Sequence, residues 1–392
     1  MGRGGRGWPV ATIERMTHLA SSSRPDTRGR SLRPVLALDM GGTLLRTALV
    51  LTTGDLVARR TARTPQGDSH TVVSACLALL DETRAAAASE RPAIVPVALA
   101  VSAPGPLDPR DGMLVDPPNL DRSLWGFPLS RTLGAALGLP VALERDTQVA
   151  ALAEGRFGAG RDVADYVYLT VSTGIGGAVV SDGRLLRGPD GVAGELGHMS
   201  VDADGPACGC GARGHLEAIA SGTGIAAAAR EAIESGGVPA GSPLGRLAGD
   251  APAPLEASHV AQAEEEGDPI AARIMQRARD AFATAVVSIV DIFNPSRVIV
   301  GGGVAAGQGD RLLGPARERV RQQAFRIQAR RAEIVPAELG DDVGLTGGLL
   351  LVELADLETH ATGPGQMGLH TKVSAGDDLA TQIHDRETAA AG

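Results

Sequence analysis

Apolar and polar residues alternate along the chain in a pattern that predicts an α/β fold. From Val35, apolar runs separated by the turns G-G-T and T-T-G-D predict three strands joined by tight turns. Apolar residues at helical spacing predict a helix near residues 68–88, and a short apolar run predicts a buried strand at 95–101. Strands and helices therefore follow one another, as in sheets covered by helices.

This opening arrangement returns at Tyr166, where apolar runs again enclose a glycine turn and a third run follows the turn S-D-G-R. The two arrangements begin about 130 residues apart, which exceeds the repeat length of ~20–50 residues found in solenoids. The sequence therefore predicts a duplicated domain. We place the domains at residues 34–145 and 146–357, with both glycine turns at one cleft. Residues 1–33 and 358–392 are polar and glycine-containing, and we predict that they are disordered. The other predicted elements are helices at 222–235, 258–293 (interrupted at 267–269), 309–330 and 343–357, and strands at 140–143, 297–300 and 332–336.

Composition and charge exclude several functional classes. No apolar run approaches the ~20 residues needed to cross a bilayer. The net charge of −9 argues against nucleic acid as the main partner, because such binding normally requires a basic face. Three cysteines fit a reducing cytoplasm. The single lysine, Lys372, lies in the C-terminal tail, which excludes a P-loop or Schiff-base lysine from the body of the protein.

Two cysteines and two histidines lie close together between Gly194 and Glu217. The ligand types and the glycine-rich spacing predict a tetrahedral zinc site with no open position, which would be structural. The alternative is a glycine-rich surface turn in which these residues coincide by chance. The four predicted ligands are His198, Cys208, Cys210 and His215.

Three glycine turns follow predicted strands, and hydroxyl groups adjoin two of them. Consecutive backbone N–H groups in such turns bind anions, so together they favour a nucleotide phosphate site, although a single glycine turn also suits a hairpin. Asp39 precedes the first turn, where it could hold a hydrated Mg2+ ion or cap the turn. Asp146 begins a predicted helix, where it could be an N-cap, a proton acceptor or both. The turns are Gly41-Gly42-Thr43, Thr173-Gly174-Ile175-Gly176-Gly177, which follows directly after Ser172, and Gly301-Gly302-Gly303.

Over residues 35–355 the sequence resembles the ROK family of bacterial sugar kinases and repressors, which belongs to the actin-like ATPase superfamily. The motifs D-M-G-G-T-L-L-R (39–46) and S-T-G-I-G-G-A (172–178) resemble the family's two phosphate motifs. G-E-L-G-H (194–198) with C-G-C-G-A-R-G-H-L-E (208–217) resembles its sugar and zinc signature. The resemblance implies two duplicated actin-like, ribonuclease-H-like domains with a central cleft and a structural zinc loop.

The resemblance also implies a role for each matching residue. Asp146 would be the general base that takes a proton from the sugar hydroxyl attacking the γ-phosphate of ATP. Sugar hydroxyls would bind Asn119, Glu195, His198 and Glu217, and the resemblance further implies a homodimer. ATP and Mg2+ would be bound by Asp39, Gly41, Gly42, Thr43, Arg46, Ser172, Thr173, Gly174, Gly301, Gly302 and Gly303.

Two positions depart from the family pattern. His215 stands where the family usually has a third cysteine, and imidazole can replace thiolate on zinc. Arg145 stands where the sugar kinases usually have an asparagine that contacts the sugar. An arginine cannot accept a hydrogen bond, so Arg145 either selects a different sugar, such as one with an anionic group, or turns outward.

Two functions remain open at this point: an ATP-dependent kinase for a hexose or N-acetylhexosamine, and a catalytically silent sugar-sensing regulator. Repressors of the family carry an N-terminal DNA-binding domain of roughly 60–80 residues. Only 33 residues precede the predicted fold here, so we expect no DNA binding and favour the kinase.

Overall fold

The computed structural model describes residues 33–250 and 254–361, and its main strands form two five-stranded sheets. The strands are β1 Val35–Met40, β2 Leu44–Val50, β3 Leu56–Arg63, β4 Leu99–Ala103, β5 Leu107–Asp108, β6 Met113–Leu114, β7 Val141–Arg145, β8 Tyr166–Val171, β9 Ile175–Ser181, β10 Arg184–Leu185, β11 Arg297–Gly301 and β12 Glu333–Pro336. The helices are α1 Ser69–Glu90, α2 Leu129–Leu137, α3 Asp146–Phe157, α4 Leu216–Ala220, α5 Gly222–Glu234, α6 Pro243–Asp250, α7 Ala257–Glu265, α8 Pro269–Phe293, α9 Gly303–Gln308, α10 Asp310–Gln323, α11 Arg326–Ala329, α12 Val343–Thr346 and α13 Gly348–Ala361.

Both sheets have the same topology. The first has the strand order β3-β2-β1-β4-β7 and the second β10-β9-β8-β11-β12. In each sheet the first three strands are antiparallel neighbours, and the last two continue the sheet in parallel. The predicted α/β fold with a duplicated strand arrangement is therefore confirmed.

The C-terminal helices return to the first sheet, although they follow the second sheet in sequence. Leu345 and Leu349 are buried in one core cluster with Val35 and Ala100 of the first sheet, and this cluster also contains Val149 of α3. Helix α3 packs on the second sheet as well, through its contacts with β8 and β9. Thus α3 and the α12–α13 segment are the elements that connect the two sheets, and Asp146 begins the first of them.

Several element boundaries differ from the sequence predictions. The predicted helix at 309–330 is divided into α10 and α11, and the final helix is divided at Gly347 and continues to Ala361 instead of ending at 357. The strand predicted at 95–101 begins only at Leu99, because Val95 is 73% exposed and lies outside the sheet. The predictions for residues 1–32 and 362–392 lie outside the described residues. The hairpin β5–β6 and the helices α2, α4, α6 and α9 were not predicted, because segments this short contain too few apolar positions to distinguish a helix or a strand from a loop.

Among residues 33–250 and 254–361, no helix combines the length and the apolar character that a membrane crossing requires.

The packing of α13 on the first sheet predicts a large cost for removing one buried side chain. Leu349 is 1% exposed, so Leu349→Ala should lower the free energy of unfolding by about 2–5 kcal/mol through lost burial and the remaining cavity. Ile327→Ala is the control, because that side chain is 73% exposed and should change stability by less than about 0.5 kcal/mol. Urea denaturation measures both, and equal stability of the two variants would contradict this packing.

Candidate active site and metal centre

Asp146 is the first residue of α3, and Arg145 occupies the N-cap position before it. The N-cap interpretation of Asp146 is therefore wrong by one residue. Its carboxylate accepts a hydrogen bond from the Thr147 N–H at 2.7 Å, while the residue remains exposed in the space between the two sheets. The pKa of Asp146 is raised to about 6, chiefly because protein atoms packed around the carboxylate displace water, with a smaller contribution from the charges of Asp39 and Glu195. The Thr147 N–H and the guanidinium of Arg145 oppose it.

Asp39 lies on β1 beside the first glycine turn. One of its carboxylate oxygens accepts a hydrogen bond from Ser102 at 3.2 Å, and the other pairs with Arg46 at 3.1 Å. Burial raises the pKa of Asp39, and the Arg46 guanidinium lowers it, with burial having the larger effect. Arg46, predicted to bind ATP or Mg2+, is thus the ion-pair partner of Asp39.

Asn119 lies against the same turn. An added Cβ on Gly42 would lie 2.8 Å from the Asn119 carbonyl oxygen, so the two backbones are in close contact. Gly41 closes the turn with a 2.9 Å hydrogen bond to the Leu44 carbonyl, and Thr43 is exposed. The predicted phosphate turn and the predicted sugar residue are therefore neighbours.

The second and third glycine turns meet at one cavity of about 600 Å3. The Ser172 carbonyl accepts a hydrogen bond from the Gly222 N–H at 2.8 Å, which joins the second turn to the start of α5. Gly302 has φ of 92°, and an added Cβ would lie 2.5 Å from the Val171 carbonyl oxygen, so only glycine fits there. Ser172, Thr173 and Gly303 line the cavity, while Gly174, Gly301 and Gly302 are adjacent in sequence.

Glu217 and Glu195 differ in their partners. Glu217, at the start of α4, accepts a 2.9 Å hydrogen bond from the Ile175 N–H, which holds it beside the second glycine turn. Glu195 instead forms an ion pair with Arg145, whose second guanidinium nitrogen donates to the Ala193 carbonyl at 2.6 Å. Arg145 is 3% exposed, so the expectation that it could turn outward is wrong. The guanidinium turns inward and binds a residue predicted to bind the sugar.

A second ion pair lies beside this one and was not predicted. Glu144 is fully buried and pairs with Arg187 at 2.7 Å. Burial raises the pKa of Glu144, and the charge of Arg187 opposes that shift. The hydrophobic pattern gives no signal for it, because a charged residue within an apolar strand is not expected to be buried. Together the two pairs connect the end of β7 to the segment 187–195.

The four predicted metal ligands converge on one point, and their ligand atoms all lie within 4.8 Å of one another. The Nδ1 atoms of His198 and His215 are 3.3 Å apart. The Cys208 sulfur lies 3.7 Å from Nδ1 of His198, and the Cys210 sulfur lies 3.3 Å from Nδ1 of His215. Ordinary metal–ligand bond lengths in a tetrahedral zinc site give about 3.3 Å between two nitrogens and about 3.6 Å between nitrogen and sulfur. The cluster therefore fits a single four-coordinate metal ion.

The loop geometry explains why the cluster forms. Gly211 N–H donates to the Cys208 carbonyl at 2.9 Å, which turns the chain between the two cysteines. Gly214 has φ of 67°, and an added Cβ would lie 1.5 Å from the Asp202 carbonyl oxygen. The turn therefore requires glycine directly before His215, and it aims that imidazole at the cysteines.

Comparison with known proteins assigns the chain to a family. The model of the ROK family matches residues 35–355. The chain belongs to the ROK family. It is 35% identical over 322 residues to the glucokinase of Thermotoga maritima, and this match covers 81% of this chain and 97% of that protein. It is also 35% identical over 320 residues to the N-acetylmannosamine kinase of Escherichia coli O157:H7, covering 81% and 98%.

A solved structure of the family has the same fold. The ROK family glucokinase from Streptomyces griseus, in complex with glucose and AMPPNP, superposes with a TM-score of 0.66 at 30% identity. The match covers 81% of this chain and 98% of that one. Because the family match spans both sheets and the Cys/His cluster, the resemblance to the ROK family is confirmed.

The convergence of four ligands predicts one tightly bound divalent metal ion per chain. Cys208→Ser should reduce the bound metal to near zero and lower the melting temperature, because the remaining ligands no longer complete the site. His215→Cys should retain the ion, since thiolate replaces imidazole as a ligand. Elemental analysis of the purified proteins measures both, and undiminished metal in Cys208→Ser would contradict the assignment.

Proposed function

We propose that this ROK family protein is an ATP-dependent kinase that phosphorylates a hydroxyl group of a hexose or an N-acetylhexosamine. The observation that carries the proposal is the position of Asp146. An ionisable carboxylate with a pKa of about 6 begins α3 between the two sheets, within electrostatic reach of Asp39 and Glu195. The 35% identity to a glucokinase and an N-acetylmannosamine kinase supports the same reaction class.

In this mechanism Asp146 accepts the proton of the attacking sugar hydroxyl. Phosphoryl transfer depends on positioning and charge neutralisation and needs no covalent intermediate on the protein. Asn119, Glu195, His198 and Glu217 orient the sugar by accepting or donating hydrogen bonds. The N–H groups of the three glycine turns would bind the phosphates, and Asp39 would hold Mg2+, which would supply neutralisation of the charge that develops on them.

The metal in the Cys/His cluster is, in this proposal, a structural zinc ion. Two thiolates and two imidazoles favour zinc, and four protein ligands leave no position for water or substrate. The cluster includes His198 and lies between Glu195 and Glu217 in sequence, so the ion would fix the directions of the sugar-binding side chains. The domain boundaries, the homodimer, the absence of a nucleic-acid partner and the cytoplasmic location stay predictions from the sequence.

Replacing the proposed base tests this function. Asp146→Asn should lower sugar-dependent ADP release by about 10²–10⁴-fold, because an amide cannot take the hydroxyl proton. Asp81→Asn is the matched control, since Asp81 is an exposed residue of α1 that pairs with Arg84 on the same helix. Normal turnover by Asp146→Asn would contradict the assigned base. Sugar binding without any turnover by the unaltered protein would favour the catalytically silent regulator.

The pH dependence provides a second readout of the same carboxylate. A base must be ionised, and the raised pKa of Asp146, about 6, means that it becomes protonated below that pH. We therefore expect kcat/KM to fall about tenfold for each pH unit below about 6 and to level off above it. A rate that stays constant down to pH about 4.5 would contradict the role of Asp146.

The ion pair between Arg145 and Glu195 predicts a specificity that can be changed. In Arg145→Asn the Glu195 oxygen that pairs with the guanidinium becomes available to accept a further hydrogen bond from a sugar hydroxyl. Since a hydrogen bond to a charged group contributes about 1.5–3 kcal/mol, kcat/KM for neutral hexoses should rise at least about tenfold. Arg145→Lys keeps the positive charge and is the control. A panel of hexoses, N-acetylhexosamines and sugar acids measures the change, and a lower kcat/KM for every sugar would contradict it.

A further inference from the structure

The side-chain amide of Gln308 has one defined orientation. Its Oε1 accepts hydrogen bonds from the Nε and Nη2 atoms of Arg279, at 3.1 and 2.7 Å. A guanidinium carries only donors, so the amide oxygen must face it and the amide NH2 group must point away. Within the part of the chain that the structure describes, this NH2 group donates no hydrogen bond to another protein group. It is also not among the fully buried side-chain atoms that lack a hydrogen-bond partner.

Arg279 is held in place from the other side by Glu264. The two side chains form a bidentate ion pair, with Nη1 at 2.8 Å from Oε1, and they are 9% and 15% exposed. Buried ion pairs seldom increase stability relative to apolar residues. Here the pair lies between α7 and α8 and fixes a residue at the end of α9. Because the ion pair fixes the Arg279 guanidinium, and that guanidinium donates to Gln308 Oε1, the pair sets the direction of the Gln308 amide.

Gln308 lines the cavity at which the second and third glycine turns meet. Ser172, Thr173 and Gly303 lie on one side of this cavity, and α7 lies on another, with Gln262 and Glu265. Its volume of about 600 Å3 falls in the range of small-molecule sites, ~300–1,000 Å3. The residue that carries the fixed NH2 group therefore lies in the wall of a pocket that extends away from the phosphate-binding turns, where the nucleoside part of a nucleotide would lie.

We propose that Gln308 is a nucleotide-binding residue that donates a hydrogen bond to a ring nitrogen of the adenine base, and that Arg279 is its positioning residue. This inference rests on the proposed use of ATP. A purine ring nitrogen carries a lone pair and no hydrogen, so it suits a donor whose direction is fixed before binding. The contact is remote from the transferred phosphoryl group, so it contributes to nucleotide binding equally before and during the reaction.

Two substitutions at Gln308 test the inference. Gln308→Glu keeps an oxygen for Arg279 but replaces the donor with an acceptor, and Gln308→Leu removes both. We expect the Kd of ADP, measured by titration calorimetry, to rise about tenfold or more in each variant. With sugar saturating, the KM for ATP should rise similarly while kcat and the KM for sugar stay unchanged. Gln276→Leu is the control, because Gln276 is exposed on α8 and donates to Asp280, outside the cavity.

The outcomes separate this inference from the proposed function. Unchanged ADP affinity in Gln308→Glu and Gln308→Leu would overturn the inference and leave the kinase intact. ADP binding that is weakened in both variants of a protein without turnover would support the inference and contradict the kinase. Absence of ADP binding by the unaltered, folded protein would overturn both. Gln308→Glu keeps the partner of Arg279, so its result stands even if Gln308→Leu fails to fold.

Discussion

The structure depends on the junction between β7 and α3, where the three consecutive ionisable residues 144–146 lie. Two of them form ion pairs with residues of the segment 187–195. Glu144 pairs with Arg187, and Arg145 pairs with Glu195. Asp146 follows at the helix N-terminus, where the helix dipole favours its ionised form. Glu144 and Arg145 end β7 and Asp146 begins α3, so consecutive regular elements fix the backbone of all three residues. The proposed base therefore cannot move independently of the ion pairs beside it.

Opposing electrostatic effects act on Asp146. The surrounding protein atoms and the charges of Asp39 and Glu195 favour the neutral acid, while the Thr147 N–H and Arg145 favour the carboxylate. The result is a pKa of about 6, which leaves the group ionised at neutral pH but more basic than an ordinary aspartate. A stronger base accepts a proton more readily, so the environment suits general base catalysis. Arg145 has a double effect, since it lowers this pKa and also neutralises Glu195.

Much of this architecture could be predicted from the sequence. The apolar runs around Val35 and Tyr166 predicted both three-stranded units, since their turns carry strong glycine signals. The spacing of Cys208, Cys210 and His215 predicted a convergent cluster, because a ligand set within a short glycine-rich loop has few other ways to fold. The short helices and the hairpin β5–β6 were missed, since their apolar residues depend on tertiary packing for burial.

The electrostatic connections could not be predicted in the same way. Nothing in the local pattern indicates that Arg145 pairs with Glu195, or that Arg279 on α8 orients Gln308 on α9, because these contacts join residues far apart in sequence. The resemblance to the ROK family implies a role for each matching residue but does not identify the partners of that residue. The functional consequence of Arg145 in particular depends on its partner, which only the folded arrangement reveals.

The most direct test of the central claim is a crystal structure of the protein with a hexose and a non-hydrolysable ATP analogue. The account predicts that one sugar hydroxyl lies about 2.6–3.2 Å from the Asp146 carboxylate and faces the terminal phosphate. A sugar bound elsewhere, or a hydroxyl facing the phosphate with no contact to Asp146, would contradict it.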